Sequence, residues 1–426
     1  MNRRRNAGVG LIRNLNRAAV LALIGRRGPI ARAEIARELA VSPATVTAVT
    51  RELVARGIVR VVDQVPSDGG RPALRLALVP DAGHVLGVKI APDHLAGVIV
   101  DLEGEIVDSF AEPFDAAGPR IVDRIEAALR PVVEGRPATS PPLLGIGLGV
   151  PGLVRPDGGG TIEAPSLGWG QLPLGSILRT RLGLPVLIEN DVNTLAIAER
   201  LYGRGRDVDD FITVTIGAGV GLGITARGEL HRGAQGGAGE LGHVTVNPDG
   251  PACYCGKRGC LETVVADPAL VRDAVAEGIL QADGTVADLL ALADAGDYRA
   301  QGIYAAAGQV LGRAVAMVVN LLDPRLVLLS GEGIRAWPHL ANAFDTTLRG
   351  DLFAPVASVE VEVDPWDDGR WALGAAALVF RSTFTASLDE PGIDDDVRGR
   401  LGLRERGNGH PPVVARDRPM APGGAA

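Results

Sequence analysis

At Pro80 the hydrophobic pattern changes period, and that change limits the fold more than any other feature of this 426-residue chain. Before it, apolar residues recur at helical spacing and close in two strand-like runs. After it, short apolar runs alternate with helical ones. The chain must therefore hold two architectures, and its length leaves room for both. Charge divides at the same place. Residues 1–80 hold 14 Arg, no Lys and 5 acidic residues, a net +9, while the remainder carries −17. A basic first part on an acidic body points to a polyanion partner for the first part alone.

The first eighty residues read as three helices and a hairpin. A stripe at Leu11, Leu15, Ala18, Ala19 and Ala22 predicts a helix over 11–24, stopped by Gly28-Pro29. A short helix over 34–39 buries Ile35 and Leu39, with Ala31 at its weak cap position. The third is marked best, by Ser42 as N-cap, Pro43 at the first helical position, and Val46, Val49 and Leu53 facing inward. Ala44, Thr45, Thr47, Ala48 and Arg51 are then left outside. Small and hydroxylated side chains let a helix sit deep in a major groove, where Thr bonds base edges or touches a thymine methyl. Runs at 58–62 and 74–79 flank a Gly-Gly-Arg turn with Arg71 at its tip, placed to enter a minor groove. The expectation is a winged helix-turn-helix that reads DNA through Thr45, Thr47, Arg51 and Arg71.

Beyond Pro80, strands over 84–90, 95–100, 106–110, 143–150, 186–189, 211–216 and 326–330 alternate with helices over 121–133, 192–202 and 304–322. This predicts a two-lobed α/β body, whose ligands bind at the carboxyl ends of strands. Glu189-Asn190-Asp191, Glu240-Leu241-Gly242-His243 and Glu262 lie at such ends beside glycine turns. Carboxylates and amides that converge there suit a polyhydroxylated ligand. All three cysteines fall between 253 and 260, which is no secreted disulfide framework and reads as a metal knuckle in a reducing compartment. With His243 as fourth ligand, Cys253, Cys255 and Cys260 suit a closed, structural tetrahedral zinc within 243–260. No run of eighteen apolar residues and no leader pattern are present, so a cytoplasmic protein without a membrane span is expected.

Gly217-Ala218-Gly219-Val220-Gly221-Leu222-Gly223, Gly236-Gly237-Ala238-Gly239-Glu240-Leu241-Gly242-His243 and Cys253-Tyr254-Cys255-Gly256-Lys257-Arg258-Gly259-Cys260-Leu261-Glu262 together resemble the ROK family of repressors, open reading frames and kinases. The resemblance implies an N-terminal winged helix-turn-helix (1–80) followed by a two-lobed hexokinase/actin-like domain (81–381). It also implies that Asn190, Asp191, Glu240, His243 and Glu262 bind a sugar, with Asp191 at the catalytic-base position of the kinases. His243, Cys253, Cys255 and Cys260 match the zinc ligands. Many members have Asn where Ser166 stands. The winged half, with its Gly-Gly-Arg-Pro turn, is similar to the xylose-repressor branch.

Departures from the kinase pattern bear on the chemistry. The phosphate-binding Asp-x-Gly-Gly-Thr of the kinases is replaced by Lys89-Ile90-Ala91-Pro92-Asp93-His94, so the metal-side carboxylate has become a Lys and a Pro removes an amide donor. Ala218 stands where Thr is common, and Glu332 where Gly is usual. Phosphoryl transfer depends on positioning and metal-assisted charge neutralisation. The expectation is a sugar-responsive regulator, a dimer or tetramer on an inverted-repeat operator, that binds a free monosaccharide such as xylose or glucose without phosphorylating it. An ATP-dependent sugar kinase with a DNA-binding appendage, or a regulator driven by a protein partner, remain the alternatives. From 382 to 426 the composition is rich in Asp, Gly, Pro and Arg and predicts a disordered tail.

Overall fold

The structure, a computed structural model, describes residues 2–67, 70–156, 158–354, 358–365, 367–384, 391–401 and 403. The N-terminal part comprises α1 (Asn2–Arg27), β1 (Ile30–Ala31), α2 (Arg32–Glu38), α3 (Pro43–Ala55), β2 (Val59–Ser67) and β3 (Gly70–Leu78). The strands form one antiparallel sheet in the order β1-β3-β2. This is a winged helix. Ser42 caps α3 by accepting a hydrogen bond from the Thr45 amide at 3.1 Å, and Val46, Val49 and Leu53 are buried beneath it. Ala31, which cannot cap through its side chain, instead donates its amide to Glu34.

The inner face of α1 differs from the sequence expectation. Leu15 is exposed, while Val20, Leu21, Leu23 and Ile24 are buried. A single stripe would cover one partner, but α1 has two, because it lies between the winged helix and the body behind it.

The body holds two five-stranded sheets of matching topology. In lobe I, β4 (His84–Ile90), β5 (His94–Val100) and β6 (Ile106–Pro113) form an antiparallel meander. Helix α4 (Ile121–Glu134), β7 (Leu143–Val150), α5 (Leu174–Leu182) and β11 (Val186–Asn190) complete the lobe, giving the order β11-β7-β4-β5-β6. Short strands β8 (Leu153–Val154), β9 (Ile162–Ala164) and β10 (Trp169–Leu172) form a flap between β7 and α5. Helix α6 (Asp191–Tyr202) follows β11 directly.

Lobe II repeats the plan with β12 (Phe211–Ile216), β13 (Val220–Ala226) and β14 (Glu229–Leu230). After α7 (Glu262–Val265), α8 (Asp267–Ala276) and α9 (Val286–Asp294) come α10 (Tyr298–Leu322), β15 (Leu326–Ser330), α11 (Trp337–Asp351) and β16 (Glu360–Val363). The strand order is β14-β13-β12-β15-β16, the same first-to-fifth arrangement as in lobe I. Helix α10 is long and apolar enough to cross a membrane by composition alone. Here it is a core helix, with Tyr304, Ala307, Leu311, Val315 and Val319 buried in lobe II.

Helix α12 (Asp368–Phe384) returns to lobe I and lies on its sheet. The contact is close. A Cβ on Gly87 of β4 would stand 2.0 Å from the Ala372 carbonyl, and one on Gly147 of β7 would stand 1.8 Å from that of Ala375. The other end of α12 carries Val379 and Phe380 into a core shared with Val20, Leu21, Leu76 and Leu78 of the winged helix. Winged helix and lobe I thus share one apolar core across the turn at Pro80–Ala82.

The segment beyond 382, expected to be disordered, is ordered in part. Helix α12 runs to Phe384, and α13 (Pro391–Arg400) buries Val397, with Leu401 and Leu403 following it into the same core. Three apolar residues in a charged run are too few for a periodicity argument, but enough to dock on a groove other elements have built. Residues 385–390, 402 and 404–426 lie outside the described residues.

Candidate functional site

A cleft of about 520 Å³ opens between the lobes and gathers Asn190, Asp191, Glu240, His243 and Glu262, all five residues expected to bind sugar. Chain topology explains why. Asn190 ends β11 and caps α6, Glu240 and His243 flank a short 3-10 turn beside β13, and Glu262 opens α7 after the cysteine loop. Gly221 and Gly223, part of the glycine-rich stretch that resembles the family, lie in strand β13. Side chains there would press on Val192 and Ala196, so glycine lets α6 approach the strand.

The five groups are not equally free. Asn190 accepts from the Asn193 amide at 3.1 Å and donates to the Gly152 carbonyl at 3.1 Å, leaving one lone pair and one N–H for a ligand. Asp191 accepts from the Val192 amide at 2.9 Å, so one carboxylate oxygen is oriented by the helix start. Burial raises the Asp191 pKa, and the Lys89 cation pulls it back. Burial likewise raises Glu262. Such groups accept from hydroxyls when ionised. Beneath them, buried Glu189 is held by the Arg232 guanidinium at 2.6 Å and accepts from Asn193 at 3.1 Å, which stiffens the turn carrying Asn190 and Asp191. Ser166 also lines the cleft.

The cysteine loop makes the wall beside Glu240. One ligand atom each from His243, Cys253, Cys255 and Cys260 lies within 4.8 Å of the others. His243 Nδ1 is 3.5 Å from Cys253 Sγ, and the sulfurs of Cys255 and Cys260 are 3.6 Å apart. A tetrahedral ion with metal–sulfur bonds near 2.3 Å puts its ligands at about these separations. The donor set fits a closed metal centre. His243 Nε2 faces away from it, toward the Tyr254 hydroxyl at 3.1 Å and a Glu240 oxygen at 3.9 Å. His243, expected at both the metal and the sugar, turns Nδ1 to the cysteine cluster and Nε2 toward Tyr254 and Glu240 of the cleft.

Opposite this wall, where a kinase would hold phosphate, the cleft holds a charge cluster. Lys89 is 5% exposed, and its Nζ is 3.0 Å from Asp368 Oδ1, 3.6 Å from Glu332 Oε1 and 4.5 Å above the Trp371 ring. His94 adds an imidazole nitrogen 3.2 Å from the other Asp368 oxygen. Lys89 is thus matched by carboxylates already in place. Trp371 and Asp368 were not anticipated from sequence, because nothing local links the start of α12 to β4.

On the winged helix, Ala44, Thr47, Ala48 and Arg51 are exposed on α3 and Thr45 is half-buried. The Thr47 hydroxyl donates to the Pro43 carbonyl at 2.7 Å, and that of Thr45 shares a hydrogen bond with Ser42 at 2.8 Å. Both hydroxyl oxygens keep acceptor capacity. The Arg71 side chain lies outside the described residues.

Comparison with known proteins matches residues 85–382 to the ROK family and residues 14–65 to the MarR family. The DNA-binding transcriptional dual regulator NagC of Escherichia coli K12 is 30% identical over 391 residues, covering 89% of this chain and 96% of its own. The xylose repressor of Bacillus subtilis is 28% identical over 371 residues, covering 87% and 96%. Among solved structures, a ROK family transcriptional regulator described as a homologue of the E. coli MLC protein superposes with a TM-score of 0.74 at 27% identity, covering 92% of this chain and 99% of that one. A ROK family glucokinase from Streptomyces griseus, in complex with glucose and AMPPNP, gives a TM-score of 0.60 at 31% identity over 70% of this chain and 99% of its own.

Proposed function

The chain belongs to the ROK family, and from that premise we propose that it is a sugar-responsive DNA-binding transcriptional regulator, a repressor of a carbohydrate-use operon. The observation that carries this reading is the combination of a winged helix with a cleft that gathers the five residues expected to bind sugar and sets Lys89, paired with Asp368 and Glu332, where the kinase pattern expects phosphate. The similarity to NagC and to the xylose repressor over nearly the full chain supports it.

In this reading Asn190, Asp191, Glu240, His243 and Glu262 bind a free neutral monosaccharide, xylose and glucose being the leading candidates. The three carboxylates would repel a phosphate placed beside them. His243, Cys253, Cys255 and Cys260 hold one structural zinc, which supplies a fixed crosslink and no chemistry. Thr45, Thr47, Arg51 and Arg71 meet DNA, and a two-fold homodimer or a homotetramer in the cytoplasm presents two α3 helices to an inverted repeat. Selection from a randomised duplex pool by the purified chain tests the reading. Enrichment of an inverted repeat supports it, and a pool with no enriched sequence overturns it.

The 31% identity to a glucokinase and the position of Asp191 favour one rival, a kinase with a DNA-binding appendage. Against it, the carboxylates around Lys89 oppose a triphosphate, and the run 89–94 offers no magnesium-side carboxylate at the Lys89 position. Incubation with magnesium-ATP and a bound sugar distinguishes the two, since a kinase forms sugar phosphate at an ordinary enzyme rate, on the order of one per second or faster.

A further inference from the structure

We propose that the winged helix and lobe I move as a single body, and that the Lys89–Glu332 pair is the latch that sets the angle of this body to lobe II. The first half rests on the shared core. Val20, Leu21, Ile24, Leu76 and Leu78 of the winged helix pack with Val85, Val98 and Leu144 of lobe I and with Val379 and Phe380 of α12. The chain closes this junction from its far end. Buried Arg17 of α1 donates to the Leu403 carbonyl at 3.0 Å and to Glu52 of α3 at 2.8 Å, and α13 packs on α12 and β7. The backbone of α12 lies against Gly87 and Gly147 with no room for a methyl group. No joint is left between winged helix and lobe I that could bend without opening a packed core.

Between the lobes, α6 packs on β13 at Gly221 and Gly223, and Arg232 of lobe II holds Glu189 of lobe I at 2.6 Å, which makes a pivot. Lys89 is a second crossing point. A buried ammonium needs fixed counter-charge. Asp368 and Trp371 supply it from α12, inside lobe I, whatever the lobes do. Glu332, which follows β15 in lobe II, stands 3.6 Å away across the cleft, a distance that opening of the lobes would lengthen. The pair therefore favours this angle over a wider one, which is the differential contact that a two-state element requires. Asp191, expected to bind the sugar, lines the same cleft as Lys89 and Glu332, so a ligand there lies beside the latch. Any closure or opening at the sugar then swings the winged helix relative to lobe II as lobe I turns.

The proposal deepens the regulator reading, but its test needs neither DNA nor sugar, so the two can fail separately. Pairs of spin labels are placed in the full-length protein through a ketone-bearing noncanonical residue, which avoids the cysteine cluster, and diluted with unlabelled chain. One pair joins exposed Val54 of α3 to exposed Val107 of β6, and the other joins Val54 to exposed Thr346 of α11. In Lys89→Met and in Glu332→Gln, the Val54–Thr346 distance distribution should shift or broaden beyond that of the unaltered protein, while Val54–Val107 stays the same. Glu332→Gln cuts the latch from its more exposed side, so it decides the matter if Lys89→Met fails to fold. An unchanged Val54–Thr346 distribution in Glu332→Gln overturns the latch. A Val54–Val107 distribution as broad as Val54–Thr346 in the unaltered protein overturns the single body.

Discussion

The Tyr254 hydroxyl stands 3.1 Å from His243 Nε2, while His243 Nδ1 stands 3.5 Å from Cys253 Sγ. The outer nitrogen of a metal-ligating imidazole is normally held by a partner that fixes the ring. Tyr254 is placed for that role if His243 ligates a metal, and it lines the cleft as well. Cys255→Ser should lose the metal and weaken the sugar response, because Glu240 and Glu262 sit at the two ends of the loop. Tyr254→Phe should keep the metal but bind it about tenfold or more weakly. Metal analysis of protein purified without chelator, with a competitive zinc titration, checks both; a metal-free parent protein would remove the centre from the account.

Asp191→Ala should weaken sugar binding by about 1–3 kcal/mol, the cost of a hydroxyl left without its acceptor. DNA binding without sugar should persist, giving a regulator that no longer responds. Calorimetric titration with the sugar that stabilises the parent protein reads the first effect, and an unchanged sugar affinity would put the ligand elsewhere.

Asp267 titrates far from its ordinary value near 3.8, pushed up to about 6 by burial and by the Glu332 carboxylate. Between those values the folded chain keeps a proton that the unfolded chain releases, so this group costs stability as pH rises from about 4 to 6. Asp267→Asn removes the cost. The variant should melt above the parent at pH 7, by an amount on the order of 1–3 kcal/mol, and the difference should vanish near pH 4. A difference that grows on acidification would reverse the sign and refute the assignment.

Leu401 is 6% exposed in the core that joins winged helix to lobe I. Leu401→Ala should cost about 2–5 kcal/mol, the range for emptying a buried leucine site. Denaturant unfolding should show that loss, whereas a wholly disordered C-terminal segment would show none.

Arg51 is exposed on the outer face of α3. Arg51→Ala should weaken DNA binding and, if the side chain meets a phosphate, lower the salt dependence by about one unit. Arg71→Ala should weaken binding through the wing. Titrations at several salt concentrations separate these effects, and an unaltered affinity in either variant removes that residue from the interface.

The parts of this molecule legible in its sequence are those written in neighbouring residues. Ser42-Pro43 with Val46, Val49 and Leu53 is enough to place α3, since cap and stripe lie within one helix. Asn190 and Asp191 sit where the apolar strand β11 stops, while Glu240, His243 and Glu262 were named by the resemblance of their glycine- and cysteine-rich neighbours to the family pattern. What escaped is contact between distant segments. Lys89 and Asp368 are 279 residues apart, and Arg17 and Leu403 are 386 apart. The second buried face of α1 was invisible for the same reason, because α1 also packs on α12, far along the chain. The helix at 391–400 packs on α12 and β7, which the charged composition of the tail gives no hint of.

Sugar and DNA must be linked reciprocally if one free monosaccharide resets this chain. The decisive measurement is fluorescence anisotropy of the selected inverted repeat with purified protein, without nucleotide, titrated with D-xylose and D-glucose, and the sugar affinity measured with and without that DNA. One sugar should change the DNA Kd by about tenfold or more, and DNA should change that sugar's Kd by the same factor. Sugar that binds the cleft yet leaves the DNA Kd unmoved, or that moves it only when magnesium-ATP is present and sugar phosphate forms, would contradict the assignment.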